Sequence, residues 1–286
     1  MRTAPALKWL IPLIFLLALF AASMGLFYKT EGKPYPFISH RGETVTINAR
    51  GLYHYDTVSS AAQQQGNDIV ALFVALPLLV VSSVMAFRGS LRGQLLLTGT
   101  IGFFLYTYMS MSMLTMFNTL FLVYVALFSL SLYAFILCMM SFDLDTLPQH
   151  FSDKLPRGWI AILLFLIGGF LTIAWLGKVL PPILQNTPPV LDNATTFVIQ
   201  AMDLGLIVPL AVLSGILLLR RSAWGYLLSS VFVLKAIALG LAVSAMVVNM
   251  TLAGVPEGAG IAIPFLVITV LNLAAAGSLL KNISEV

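Results

Sequence analysis

"TFVIQAMDLGLIVPLAVLSGILLL", residues 196–219, carries one charged side chain, Asp203, in a run that is otherwise almost wholly apolar. About 20 helical residues cross the ~30 Å hydrocarbon core of a bilayer, and a soluble helix of that length would show a polar face. The stretch therefore reads as a transmembrane helix. Composition extends the reading to the whole chain. Of 286 residues, 59% are hydrophobic and 9% charged, against about 25% charged in soluble domains, and mean hydropathy is +0.98. The apolar runs are continuous, whereas barrel strands alternate apolar and polar residues. The expected fold is all-α, a polytopic transmembrane bundle of eight spans near 9–28, 68–87, 95–116, 119–140, 158–178, 196–219, 226–249 and 261–281.

Basic residues set the expected topology. With the N-terminus inside, the inner segments hold nine Lys or Arg and the outer ones five, four of them in the long 29–67 loop. Long loops weigh little in the positive-inside rule, so both termini are expected in the cytoplasm and the chain in the cytoplasmic membrane. The net charge of +4 is explained by helix ends and does not point to nucleic acid. The first span, with Arg2, Lys8 and the small residues Ala21, Ala22 and Ser23, also admits a cleavable signal, although its apolar run is long for one. The lone Cys138 permits no internal disulfide.

The two halves of the chain resemble each other. At an offset of 132 positions, "PLLVVSSVMAFRGSLRGQLL" (77–96) lies over "PLAVLSGILLLRRSAWGYLL" (209–228) with nine of 20 positions identical. The informative matches are Pro77 and Pro209, Arg88 and Arg220, Ser90 and Ser222, Gly93 and Gly225. Four spans per half would give a parallel four-plus-four repeat, halves about 1–140 and 141–286, an arrangement used by transporters. Between the first two spans, the outer loop 29–67 contains "ETVTINA" preceded by "HRG", the alternation of a strand after a turn, so a small β-hairpin is expected there.

Ionisable groups inside a membrane are costly, face the bundle interior and have partners. Asp203 enters its span from the outside by about seven residues, ~10 Å, and Lys235 rises about nine residues from the inside, ~14 Å. Neighbouring spans with side chains at these heights suggest a buried Asp203–Lys235 ion pair, which is either a structural lock or a functional pair, since net stabilisation from such pairs is small. Gln200 shares the face of Asp203. Asp68 stands at the outer end of its span, and Tyr106 is deep for an interfacial anchor. These five residues are expected to line a polar cavity bounded by spans two, three, six and seven.

Met109, Met113 and Met116 read as packing rather than a metal site, with no histidine or cysteine beside them. No catalytic motif is present, and no cofactor is implied. "YHYD" at 53–56 is the only acid–base cluster of the outer loop, and adjacent residues on an extended chain point to opposite faces. The sequence thus favours a carrier of a small solute, with or without proton coupling, over a non-catalytic membrane scaffold, and favours either over an outer-face enzyme. It leaves the solute and any homo-oligomer open.

Overall fold

The computed structural model describes residues 4–255 and 257–285, except for the side chains of 257–262. Among the described residues, eight helices are long and apolar enough to cross a membrane. We label them α1 (Leu7–Phe27), α2 (Val58–Phe87), α3 (Leu91–Leu114), α4 (Phe121–Met140), α5 (Arg157–Gln185), α6 (Val198–Leu219), α7 (Ala223–Leu252) and α8 (Glu257–Lys281). The protein is an all-α bundle. Lipid offers no partner for a free backbone N–H or C=O, so spanning segments are wound completely. Large apolar side chains such as Trp9, Leu122, Ile173 and Val270 remain exposed, which suits contact with a bilayer.

Helix α2 starts ten residues before its apolar run. Thr57 caps it by accepting from the Ser60 N–H at 3.0 Å, and the polar first turns bury Gln64, Asn67 and Asp68 against protein. Hydropathy alone misses these turns because they face other helices.

Helices α2 and α6 share an irregularity. Each contains one π turn, Ala71–Ala75 in α2 and Asp203–Ile207 in α6, and these lie 132 positions apart (71 to 203). A proline comes shortly after in both, Pro77 and Pro209. Proline lacks an N–H and clashes with the carbonyl four residues back, and the wide turn closes just before it through Leu76 N–H to Ala71 O and Val208 N–H to Asp203 O. The turns at the far ends of these helices match as well. Ser90 Oγ accepts from the Gly93 N–H at 3.1 Å, and Ser222 Oγ accepts from the Gly225 N–H at 3.0 Å. A Cβ on Gly93 would meet the Ala86 nitrogen at 2.6 Å, and one on Gly225 the Leu218 nitrogen at 2.5 Å. Only glycine lets the two helices of each hairpin approach so closely.

Helices α1 and α5 begin alike, "LKWLIPLIFLLALF" (7–20) beside "RGWIAILLFLIGGF" (157–170), with Trp9 and Trp159, Phe15 and Phe165, and Phe20 and Phe170 in register. Their offset is 150 positions (9 to 159), so the chain between α1 and α2 is 18 residues longer than its counterpart between α5 and α6. The extra length includes an antiparallel hairpin, β1 (Tyr35–Ile38) and β2 (Thr44–Ile47). Its turn needs Gly42 at φ +82°, a region that suits glycine. The hairpin holds the α5–α6 connection, with Arg41 donating to the Ala194 and Thr195 carbonyls and Glu43 accepting from the Leu191 N–H, and the α2 cap Thr57 adds a bond from its Oγ1 to Asp192 at 2.7 Å.

At the opposite end of the bundle the C-terminal tail crosses the turns. Phe151 and Ile283 form an antiparallel bridge, and Glu285 caps α3 by accepting from the Leu91 and Arg92 N–H groups and the Ser90 hydroxyl.

Two seams between helices complete the frame. Helix α2 lies close along α7: a Cβ on Gly66 would stand 2.6 Å from the Met246 Cα, and Ala71, Ala75, Ala238 and Ala242 are all fully buried in one cluster. At the positions 132 residues away the side chains are larger or polar. Asp203 and Ile207 on α6 stand for the first two alanines, and Tyr106 and Ser110 on α3 for the others. There the helices stand apart around a cavity.

Candidate functional site

The cavity is about 250 Å³ and is lined from α2, α3, α5, α6, α7 and α8, so α5 and α8 join the four spans expected from sequence. Its walls are mainly apolar and aromatic, with Phe170, Phe232 and Phe265 among them. The polar groups are few, which is the common composition of a small-molecule pocket.

Asp203 stands in the π turn of α6. An α-helix spaces side chains by 100°, and one wide turn rotates every later side chain about the helix axis, so a π turn commonly marks a functional position. Each carboxylate oxygen has its own donor. The Tyr106 hydroxyl donates to Oδ1 at 2.7 Å, and the Trp175 indole N–H donates to Oδ2 at 2.8 Å. Charge-assisted bonds of this kind are about twice as strong as neutral ones. Two donors from α3 and α5 therefore fix the carboxylate on α6.

The expected ion pair with Lys235 is corrected. Among the described residues the only salt bridge joins Arg92 to Glu285, and Lys235 is not bonded to Asp203. Tyr106 stands between them. The Lys235 Nζ lies 4.2 Å from the centroid of the Tyr106 ring, while the hydroxyl of that ring engages Asp203. A desolvated cation over an aromatic face gains about 2 kcal/mol. The three side chains form a relay of carboxylate, phenol and ammonium. Depth along each helix brings both charges to one level, but it cannot register an aromatic from a third helix between them.

Asp68 is also corrected: it does not line the cavity. It is 2% exposed and accepts from the Tyr53 hydroxyl at 2.6 Å, facing α1, where a Cβ on Gly25 would collide with it. Burial first, then the charge of Asp68, holds the Tyr53 phenol well above its usual range, so Tyr53 stays a donor. Gln200 is buried but is not among the cavity-lining residues; Ile199 and Asp203 are. Gln63, Gln64 and Asn67 of α2 do line it, as do Asn272 of α8 and Trp175 of α5.

Trp175 is the cavity residue that sequence reasoning missed. Its signal is an indole N–H within an apolar run, a donor that needs a partner when buried. In the 53–56 cluster Asp56 accepts from Ser60 Oγ at 2.9 Å and from the Met116 N–H at 3.3 Å, while His54 bonds to the Gly51 carbonyl. Asn249 lies inside α7 and donates to the Ala62 carbonyl at 2.7 Å, which adds a polar contact to the α2–α7 seam.

Comparison with known protein families, curated proteins and solved structures returns no match.

Proposed function

We propose that the protein is a carrier of a small solute, built as a duplicated four-helix unit, with the Asp203–Tyr106–Lys235 cavity as its binding and coupling site. The observation that carries the reading is the cavity itself, deep in an eight-helix membrane bundle and lined by the relay. Intramembrane charges that face a cavity are functional by default.

The duplication is supported by features that recur at one offset: the π turns, the prolines, the capping serines and the close-packed glycines. A parallel repeat is related by an axis along the membrane normal. On this reading the two seams, α2 with α7 and α6 with α3, are versions of one interface. The first is shut by alanines and the second is held open by Asp203 and Tyr106. Rocking of the halves about the crossing of α3 and α7, which pack together, would exchange which face of the membrane the cavity meets.

Proton coupling is grounded in hydrogen-bond chemistry. A protonated carboxyl gains one O–H donor and loses the charge that strengthens its acceptors, so its bonds from Tyr106 and Trp175 weaken. Losing the Tyr106 bond frees the phenol, and with it the ring that holds Lys235. Both termini are placed in the cytoplasm of a cell with the hairpin outside, on the distribution of Lys and Arg.

The test is uptake across a broad panel of solutes in cells expressing wild type or Asp203→Asn. Altered uptake of at least one class is expected, and unchanged profiles would sink the reading. The scaffold alternative, with the charges as a lock, predicts that joint replacement Asp203→Leu with Lys235→Met leaves phenotype intact.

A further inference from the structure

Lys235 is the unsatisfied member of the relay. Asp203 has a donor on each oxygen. Lys235 carries three N–H donors, yet among the described residues its ammonium has no hydrogen-bond acceptor and no carboxylate in salt-bridge contact; the charge of Asp203 acts on it from beyond contact distance. Its contact is the Tyr106 ring, which serves one side of the ammonium at 4.2 Å. The lysine lines the cavity. The Lys235 side chain is mostly buried while its ammonium nitrogen is not sealed off, so the open side of the charge faces a space large enough for a ligand.

Around that ammonium the cavity is greasy. Phe170, Phe232 and Phe265, with Leu171, Leu239 and Ile268, supply most of the wall. A volume of about 250 Å³, at ~30 Å³ per water-sized group, admits a ligand of about eight to ten non-hydrogen atoms. A purely apolar guest would leave the lysine unserved. A multiply charged anion would bring more charge than one ammonium can meet, beside the carboxylate of Asp203.

We infer that the cavity takes a small amphipathic monocarboxylate, its carboxylate on the Lys235 ammonium and its apolar body against the phenylalanines. This rests on the proposal that the cavity is a solute site and names the class of solute. Asp203 then acts as a positioning residue: through the Tyr106 hydroxyl it sets the ring that orients Lys235, and its own charge keeps polyanions out.

The test is binding to the purified full chain in lipid nanodiscs, read by calorimetry and by tryptophan fluorescence. The probes are benzoate and hexanoate, with benzamide and 1-hexanol as uncharged analogues of similar size and phenylalanine as a zwitterion. At least one carboxylate is expected to bind about ten- to a hundredfold more tightly than its uncharged analogue, the worth of one charge-assisted hydrogen bond. Lys235→Met should remove that preference and Lys235→Arg should keep it. Comparison of the probes on wild type needs no variant, so misfolding of Lys235→Met cannot obscure the result. Equal binding of the uncharged analogues, tighter binding of the zwitterion, or a preference that survives in folded Lys235→Met overturns the inference. Thiol labelling of Ser110→Cys, a cavity-lining position, separates the two claims. With labelling but no carboxylate preference, the solute class is wrong and the solute site stands; with neither, both fall.

Discussion

Phe151 and Ile283 pair with each other across an antiparallel bridge, and they are also the two residues that the 132-position offset superposes (151 to 283). The flanking hydrogen bonds, Ser152 N–H to Asn282 O and Ser284 N–H to His150 O, exchange under the same offset. An antiparallel pair has a local twofold axis between its partners, and a bridge between positions 132 apart is what a twofold relation between two duplicated halves would produce. Both residues come after the fourth helix of their half.

The tail that makes this bridge also holds α3. Replacing Glu285 by Ala removes an acceptor from the Leu91 and Arg92 N–H groups and from the Ser90 hydroxyl. Loss of a helix cap costs about 0.5–2 kcal/mol. Thermal unfolding in detergent should show Glu285→Ala destabilised by that amount, and Glu285→Gln, which keeps one acceptor oxygen, less so.

Gly93 and Gly225 should respond alike to alanine. Each added Cβ would press on the backbone of the preceding helix, and overpacking costs about 1–3 kcal/mol. Gly169→Ala and Gly277→Ala, where a Cβ meets nothing within 4 Å, are the controls and should not destabilise. Circular dichroism melts of the four variants decide the matter; parity between the two pairs would remove the close-packing explanation.

Asp56 supplies a pH dependence outside the membrane-spanning segments. Burial raises its carboxyl from 3.8 to about 6, against the lowering effect of the bonds from Ser60 and Met116. The folded protein therefore holds a proton that the unfolded chain has released between about pH 4 and about pH 6. Stability from this group is present at low pH and falls as pH rises through that window, by about 3 kcal/mol in all. Relative to Asp56→Asn, wild type should lose about that much between about pH 4 and about pH 7. Parallel melting profiles of the two proteins across that range would contradict it.

The relay should be non-additive. Asp203→Asn leaves Lys235 without its compensating charge and faces a donor with an amide, and Tyr106→Phe removes the bridge between them. Each single change should destabilise by about 1–3 kcal/mol. Because the two side chains share one hydrogen bond, the double variant should lose less than the sum of the two, with a coupling of about 0.5–3 kcal/mol. Strict additivity would mean that the contact at 2.7 Å carries no energy.

Much of this molecule is legible in its sequence. Eight apolar runs become eight helices because bilayer thickness and backbone hydrogen bonding leave the chain few alternatives. Asp203, Lys235 and Tyr106 stand out because charges and phenols are rare at such depth. Partnership is harder to read. Sequence spacing reports height along a helix but not rotation against neighbours, so it directs Asp68 to the cavity although the face of Asp68 meets Gly25 and Tyr53. Trp175 is hidden because an indole suits an apolar run as well as it suits a carboxylate. The π turns leave no local signature beyond the proline after them, and they become visible only as backbone geometry.

On the proposed function, water and solute reach the relay. Cysteine placed at Ser110 in a Cys138→Ser background, probed with a membrane-impermeant maleimide in intact cells and in inverted vesicles, tests it most directly. Ser110 lines the cavity, and Cys138 is buried elsewhere in the bundle. Labelling from the hairpin side is expected, with reactivity that changes when Asp203 is replaced by Asn. A folded protein that resists the reagent from both sides would make the cavity a sealed void and the relay a structural lock.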